Sequence, residues 1–137
     1  MACMRTAAGL LLAPLLLAAT CMAQSEAPPG NIRLLPGYLH QRGQGFDSKV
    51  GTIARREGLT IEYDIGPMAG DYTDRKWDGE IWRKNQIING HPIVVVFTKA
   101  NLLVISFPGR NANFLATIRS DSEMADMLLM VLTYSPE

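Results

Sequence analysis

The alternation of apolar and polar positions predicts a β-hairpin near the middle of the chain. Between Leu59 and Ile65 every second residue is apolar and the residues between them are polar, the period-two pattern of a strand with one buried face. The stretch VGTIARR, residues 50–56, is the other member of the pair, and Glu57 and Gly58 separate the two. Such a short connection ending in glycine is typical of a tight hairpin, because glycine adopts positive φ without steric cost.

Four further strands are predicted beyond a long polar connection, residues 66–79, that is rich in glycine and proline. Their ranges are residues 80–88, 92–98, 102–107 and 113–119. The turn Asn89-Gly90 between the first two is a strong hairpin signal. The segment PIVVVFT, from Pro92, is continuously apolar and β-branched, which predicts a central strand covered on both faces.

A helix is predicted directly after the last strand. Ser120 and Glu123 match a capping box, in which the serine accepts from an amide three residues on and the glutamate reaches back. The apolar residues that follow at helical spacing are Met124, Met127, Leu128, Val131 and Leu132. The same segment could form a buried strand, but the cap and the unbranched side chains favour a helix that ends near Pro136. The sequence therefore predicts an α+β domain, residues 31–137, in which an antiparallel meander of five or six strands packs against a C-terminal helix.

The N-terminal 23 residues have the three-part pattern of a secretory signal peptide. Arg5 is their only charged residue, an apolar run extends from Ala7 to Ala19, and a small residue, Ala23, marks the predicted cleavage site. A retained membrane anchor is the alternative, but the run is shorter than the roughly 20 residues that span a bilayer. We therefore expect export to the periplasm or the medium, with residues 24–30 as a flexible lead into the domain.

Lipidation of Cys21 is a further alternative, since this cysteine follows the apolar run as in a bacterial lipoprotein signal. Ala18 and Thr20 depart from that signal, which usually has leucine three residues before the cysteine and a smaller residue directly before it. The two outcomes differ physically, because lipidation would tether the domain as an outer-membrane lipoprotein and cleavage after Ala23 would free it.

Removal of the predicted signal peptide changes the composition of what remains. About 114 residues are left (137 − 23), without cysteine, and 12 basic against 13 acidic side chains give a net charge of −1. This composition disfavours disulfide-stapled miniproteins, cysteine-ligated metal domains, cysteine nucleophiles and strongly basic nucleic-acid binders. The sequence indicates no cofactor.

A small hydrolase is one candidate function, with His40, Asp47 and Ser48 as the catalytic set. The signal is weak, since the sequence has no Gly-x-Ser-x-Gly elbow to hold a strained nucleophile. The simpler interpretation is that Asp47 and Ser48 close a glycine-flanked turn through bonds to the backbone.

The connection between residues 66 and 79 suggests a metal site only weakly. Its acidic residues are Asp71, Asp74 and Asp78, and Glu80 follows directly after it. Oxygen-rich loops suit calcium, but the spacing is not that of an EF-hand, and Arg75 and Lys76 offset the negative charge. A solvated loop is the favoured interpretation.

Aromatic side chains make the same region the best candidate for a binding surface. Tyr72, Trp77 and Trp82 lie in or just beyond the loop, and aromatic rings on polar loops stack on sugars or anchor partner proteins. The alternative is that Trp77 folds over the sheet edge and Trp82 belongs to the core. The leading hypothesis is a non-enzymatic module of the cell envelope or medium that binds a protein or saccharide through residues 66–82.

Two segments carry a resemblance to known proteins. Gly45-Phe46-Asp47-Ser48-Lys49-Val50-Gly51, followed by the hairpin strand that ends in Tyr63-Asp64-Ile65-Gly66, resembles a loose set of small exported bacterial proteins of unknown function. More distantly, an opening of the form Leu35-Pro36-Gly37-Tyr38 with an antiparallel sheet and a closing helix is similar to PsbP-like domains. The first likeness implies export, and the second is architectural and implies no catalytic residue.

Overall fold

Seven antiparallel strands and one α-helix make up the part of the chain that the computed structural model describes, residues 26–135. The strands are β1 (Tyr38–Arg42), β2 (Lys49–Arg55), β3 (Thr60–Ile65), β4 (Glu80–Ile88), β5 (His91–Thr98), β6 (Leu102–Phe107) and β7 (Ala112–Thr117). A short 3-10 turn, Pro29–Asn31, precedes them, and α1 (Asp121–Val131) follows. The predicted signal peptide, the cysteine considered for lipidation and Pro136 lie outside the described residues.

The strand order across the sheet is β1-β2-β3-β7-β6-β5-β4. It consists of two meanders, β1 to β3 and β4 to β7, which are joined where β3 pairs with β7. The predicted α+β class, with an antiparallel sheet packed by a C-terminal helix, is confirmed. The predicted strand count of five or six is wrong, because β1 forms a seventh strand from residues for which the sequence predicts no element.

The first face of the sheet carries the main core and is covered by α1. Alternate residues of the strands point to this face, and several of them are fully buried against Met127 and Met130 of the helix. The rings of Phe107, Phe114 and Tyr134 pack edge to face, with centroids 4.8 to 6.0 Å apart. This cluster joins the chain that follows α1 to the centre of the sheet.

The helix begins at the predicted cap, with one difference. The hydroxyl oxygen of Ser120 accepts from the amide of Glu123 at 3.2 Å. The carboxylate of Glu123 accepts from the amide of Arg119 at 2.8 Å, one residue before the amide that a capping box uses. The Arg119 guanidinium also binds this carboxylate at 2.7 Å, which holds the arrangement in place. Within residues 26–135, no helix has the length and apolar character needed to cross a membrane.

The second face is partly covered by residues 66–79, which we call the crossing loop. It leads from β3 in the middle of the sheet to β4 at the edge, so it passes over the intervening strands. Tyr72 and Trp77 of the loop pack with Val94, Val96 and Val104 on this face. The prediction that the apolar segment of β5 is covered on both faces is therefore confirmed.

The crossing loop is fastened to the sheet through its backbone carbonyl groups. The guanidinium of Arg83, on β4, donates to the carbonyl oxygens of Thr73 at 2.7 Å and Arg75 at 2.6 Å, and it pairs with Glu80 at 2.9 Å. The buried amide of Asn113, on β7, donates to the carbonyl oxygen of Gly70 at 3.1 Å. These bonds tie the backbone of the loop to β4 and β7.

Candidate functional site

A buried histidine and a buried tyrosine are hydrogen-bonded to each other at one end of the first face. Nε2 of His40, on β1, lies 2.7 Å from the hydroxyl oxygen of Tyr63, on β3, and the two residues are 7% and 4% exposed. Nδ1 of His40 lies 2.8 Å from the carbonyl oxygen of Glu26. Because a carbonyl oxygen only accepts, Nδ1 carries the hydrogen, and in the neutral ring Nε2 accepts from the Tyr63 hydroxyl.

Gly51 makes this bond possible. Strand β2 lies between β1 and β3, and Gly51 of β2 is directly opposite Tyr63. A Cβ atom at position 51 would overlap the Tyr63 hydroxyl and would lie 2.5 Å from the carbonyl oxygen of Gln41. The glycine is therefore required for space, so that the tyrosine ring can lie across β2 and contact His40.

Two adjoining cavities open at this end of the sheet, and we call them together the cleft. The smaller cavity, about 180 Å³, is lined by His40 and Tyr63 and by Glu26, Arg42 and Lys49. The larger cavity, about 390 Å³, extends past Lys49 to the turn between β6 and β7, where Arg110 lines it. Lys49 and Pro29 line both cavities, so the two are adjacent.

Among the described residues that line the cleft, cations outnumber carboxylates. Its cations are Arg42, Lys49 and Arg110, and its one described carboxylate is that of Glu26. The Arg42 guanidinium lies 3.9 Å from this carboxylate, and both side chains are more than 60% exposed, so the pair is loose. Burial raises the pKa of the Tyr63 hydroxyl, the charge of Arg42 opposes this rise, and Glu26 adds to it. Tyr63 is therefore a neutral hydroxyl at physiological pH.

The segment before β1 forms one wall of the cleft. The amide of Ser135 donates to the carbonyl oxygen of Gly30 at 2.8 Å, and the amide of Arg33 donates to the Thr133 hydroxyl at 2.8 Å. Gly30 has a φ of 58° and lies against Tyr134 so closely that a Cβ atom would overlap its ring. Residues 26–30, which the sequence assigns to a flexible lead, thus contact the domain in the structure.

Among the described residues, the hydrogen-bond partners of His40 are Glu26 and Tyr63 and not Asp47 or Ser48, and a catalytic role for the three residues stays a prediction. Both ring nitrogens of His40 are engaged, by Glu26 and by Tyr63. Asp47 is exposed, and the backbone of Asp47 and Ser48 packs against Gly66. A Cβ atom at Gly66 would lie 3.1 Å from the Asp47 carbonyl oxygen and 3.2 Å from the Ser48 Cα. The two segments that carry the resemblance therefore meet as a closed turn beside the cleft.

The aromatic residues of the predicted binding surface do not share one face. The rings of Tyr72 and Trp77 meet edge to face, 5.6 Å apart, and the Arg75 guanidinium lies 4.2 Å from the centre of the Trp77 ring. Trp82 packs instead on Phe97, 5.8 Å away, among residues of the first-face core. The structure brings Tyr72 and Trp77 together and separates them from Trp82. Binding through this region stays a prediction.

The acidic residues of the crossing loop are engaged singly. Asp71 accepts from the hydroxyl and the amide of Thr73, which lowers the pKa of its carboxyl group. Arg83 binds Glu80 and lowers the pKa of that carboxyl group. Asp74 and Asp78 are exposed. Across residues 26–135, no three side chains of histidine, cysteine or acidic residues are grouped so that they could hold a metal ion.

Several residues of the cleft are not among the candidates from the sequence. The sequence predicts only a strand position for Tyr63, and it predicts no role for Arg42, Lys49 or Arg110. His40 and Tyr63 are 23 residues apart and meet through the register of three strands, for which no local signal exists. The half-buried Gly51, opposite Tyr63, is the one trace of this contact in the sequence, and it can be recognised only once the strand register is known.

Comparisons of the chain with protein family models, with curated proteins and with solved structures found no match in any of the three.

Proposed function

We propose that this protein is an exported, non-enzymatic binding module whose ligand occupies the cleft. The observation that carries the proposal is the hydrogen-bonded pair of His40 and Tyr63, which is buried and at the same time lines an open cavity. Buried polar groups that converge on a concave site are the usual means of orienting a small ligand.

The contacts of His40 favour binding over catalysis. A general base needs a nitrogen within hydrogen-bond reach of the proton that it abstracts. In the cleft the described hydroxyl within reach of Nε2 is that of Tyr63, and burial raises the pKa of this hydroxyl, which disfavours the loss of its proton.

The cleft is a better candidate than the crossing loop for the ligand site. In the loop, Arg75 stacks on Trp77, and both aromatic rings pack with the valines of the second face. These contacts give both rings a role in packing the loop against the sheet. The loop, residues 66–79, nevertheless remains the rival site that an experiment has to exclude.

A ligand screen with paired variants tests the proposal. Saturation-transfer NMR of the purified protein against a library of small metabolites identifies ligands, and each is then tested on Lys49→Gln in the cleft and on Trp77→Ala in the loop. We expect ligands to lose binding to the first variant and to keep it with the second. The reverse pattern would move the site to the crossing loop and reject the cleft.

Export is the other part of the proposal, and it rests on the N-terminal sequence. The intact mass of the protein recovered from an exporting bacterium distinguishes three outcomes: cleavage after Ala23, lipidation of Cys21, or a retained N-terminus. We expect the first. A mass that includes the whole N-terminal segment would contradict processing.

A further inference from the structure

The cations of the cleft come from three separate parts of the chain. Arg42 is the last residue of β1, Lys49 is the first residue of β2, and Arg110 lies in the turn between β6 and β7. They converge although the chain beyond the predicted signal peptide has a net charge of −1 (12 − 13). A cleft with a local excess of positive charge concentrates anions, since its low-dielectric walls focus the field.

The cations are spread along the cleft. Arg42 lines the smaller cavity, Arg110 lines the larger one, and Lys49 lies between them and lines both. A ligand with one acidic group would use only one end of this row. A ligand with two acidic groups could place one beside Arg42 and Lys49 and the other towards Arg110.

The dimensions and the neutral groups agree with a small molecule. The larger cavity, about 390 Å³, is within the range of about 300 to 1,000 Å³ that is usual for small-molecule sites. Gly109 lines it, and no atom lies within 4 Å of the place where a Cβ atom would be, so the backbone there is open to a ligand. The Tyr63 hydroxyl donates its hydrogen to neutral His40, so towards the cleft its oxygen can only accept a hydrogen bond. The hydrogen-bond donors available to an anion are therefore the cationic side chains of the cleft.

We propose that the cleft binds a small anion with two acidic groups, carboxylate or phosphate, held between Arg42, Lys49 and Arg110. This inference rests on the proposed function, because it names the ligand class of the same site. Lys49 is the central contact, and the two arginines give the site its preference for two charges over one.

The test is titration of the purified protein with succinate, citrate, pyrophosphate and acetate at pH 7 and constant ionic strength, followed by amide NMR shifts and calorimetry. We expect at least one ligand with two or more acidic groups to bind at least tenfold more tightly than acetate, with shifts around residues 42, 49 and 110. The succinate and pyrophosphate arms distinguish carboxylate from phosphate. Lys49→Gln should weaken binding about tenfold, as expected for one charge-assisted hydrogen bond.

Lys84→Gln is the matched control, since it makes the same charge change on β4, at the far edge of the sheet. Equal weakening by both variants would show that only the overall charge matters and would overturn the inference. If none of the four anions shifts the cleft residues, the inference is also wrong, while a neutral ligand found by the library screen would leave the proposed function intact. Binding that Trp77→Ala abolishes and Lys49→Gln does not would reject both.

Discussion

The hydroxyl group of Tyr63 is hydrogen-bonded to His40 across an intervening strand, at a distance of 2.7 Å from Nε2. Side chains on alternate strands of a sheet are ordinarily too far apart for such a bond, because neighbouring strands are about 4.8 Å apart. The bond exists because the tyrosine ring lies over Gly51, where no side chain is present. The hydrogen bond between Tyr63 and His40, which line the cleft, thus depends on Gly51, although Gly51 does not line the cleft itself.

Gly51→Ala should therefore disrupt the cleft. The added methyl group would overlap the Tyr63 hydroxyl, and we expect the free energy of unfolding to fall by about 1 to 3 kcal/mol, the usual cost of overpacking. Urea denaturation measures the loss, and the NMR signals of the His40 ring report the displaced hydroxyl. Gly58→Ala is the control, because a Cβ atom there would lie 3.4 Å from the nearest atoms of Arg55. Equal stability of the two variants would contradict the role assigned to Gly51.

Stability should decline at alkaline pH through Tyr38. Burial, and the hydrogen bond to Asp126 at 2.7 Å, raise the pKa of the Tyr38 hydroxyl to about 12 from its ordinary value of 10. The unfolded state therefore loses this proton first as the pH rises. The contribution is complete below pH 10 and is lost between pH 10 and pH 12, with a slope of at most about 1.4 kcal/mol per pH unit.

Urea denaturation at several pH values between 8 and 12, on the native protein and on Tyr38→Phe, measures this effect. The variant should be less stable by about 1 kcal/mol at pH 8, since it lacks the hydrogen bond, and should show a shallower alkaline decline. Some decline should remain, because the pKa of Tyr63 is raised as well. Identical slopes for the two proteins would exclude Tyr38 as the source.

Arg83 should control the mobility of the crossing loop. Arg83→Met removes the donors to the carbonyl oxygens of Thr73 and Arg75, and we expect hydrogen exchange in residues 71–77 to accelerate about tenfold or more. Lys84→Met, at the next position of β4, serves as the comparison because it removes a cation without touching the loop bonds. Unchanged exchange in the first variant would mean that the aromatic contacts alone hold the loop.

The N-cap of α1 gives a prediction about the helix. Ser120→Ala removes the acceptor of the Glu123 amide, which should lower the free energy of unfolding by about 1 kcal/mol. Thermal denaturation compares it with Ser122→Ala, which lies inside the helix. If the two variants have the same melting temperature, the Ser120 cap contributes no stability.

The parts of the fold that the sequence predicts are those with local signals. The hairpin of β2 and β3 is visible as alternation around a short turn, the helix as a cap followed by helical spacing, and β5 as a run of β-branched residues. In β1 an apolar residue is exposed and a polar residue is buried, the reverse of the usual pattern: Leu39 is 67% exposed and His40 is 7% exposed. A five-residue strand in which a histidine is buried cannot be distinguished from a loop by its hydropathy pattern.

The candidate site was much less predictable than the strands. His40 is identifiable as one of only two histidines, but its partner depends on the pairing of three strands. The basic residues of the cleft are spread over positions 42 to 110 and come together only in the folded chain. Likewise, Trp77 and Trp82 are near neighbours in sequence, yet the structure assigns them to opposite faces of the sheet, because the loop crosses the second face before β4 begins.

The junction between the two meanders sets an order of events during folding. Glu62 and Leu115, which are opposite each other in β3 and β7, are 53 residues apart (115 − 62), so this pairing is slow compared with closure of the hairpins. A chain that emerges from the ribosome with its N-terminus first has an open edge on β3 until its C-terminal part follows. An open edge is a template for association with other chains. A stalled or truncated chain is therefore the form of this protein that is most exposed to aggregation and proteolysis.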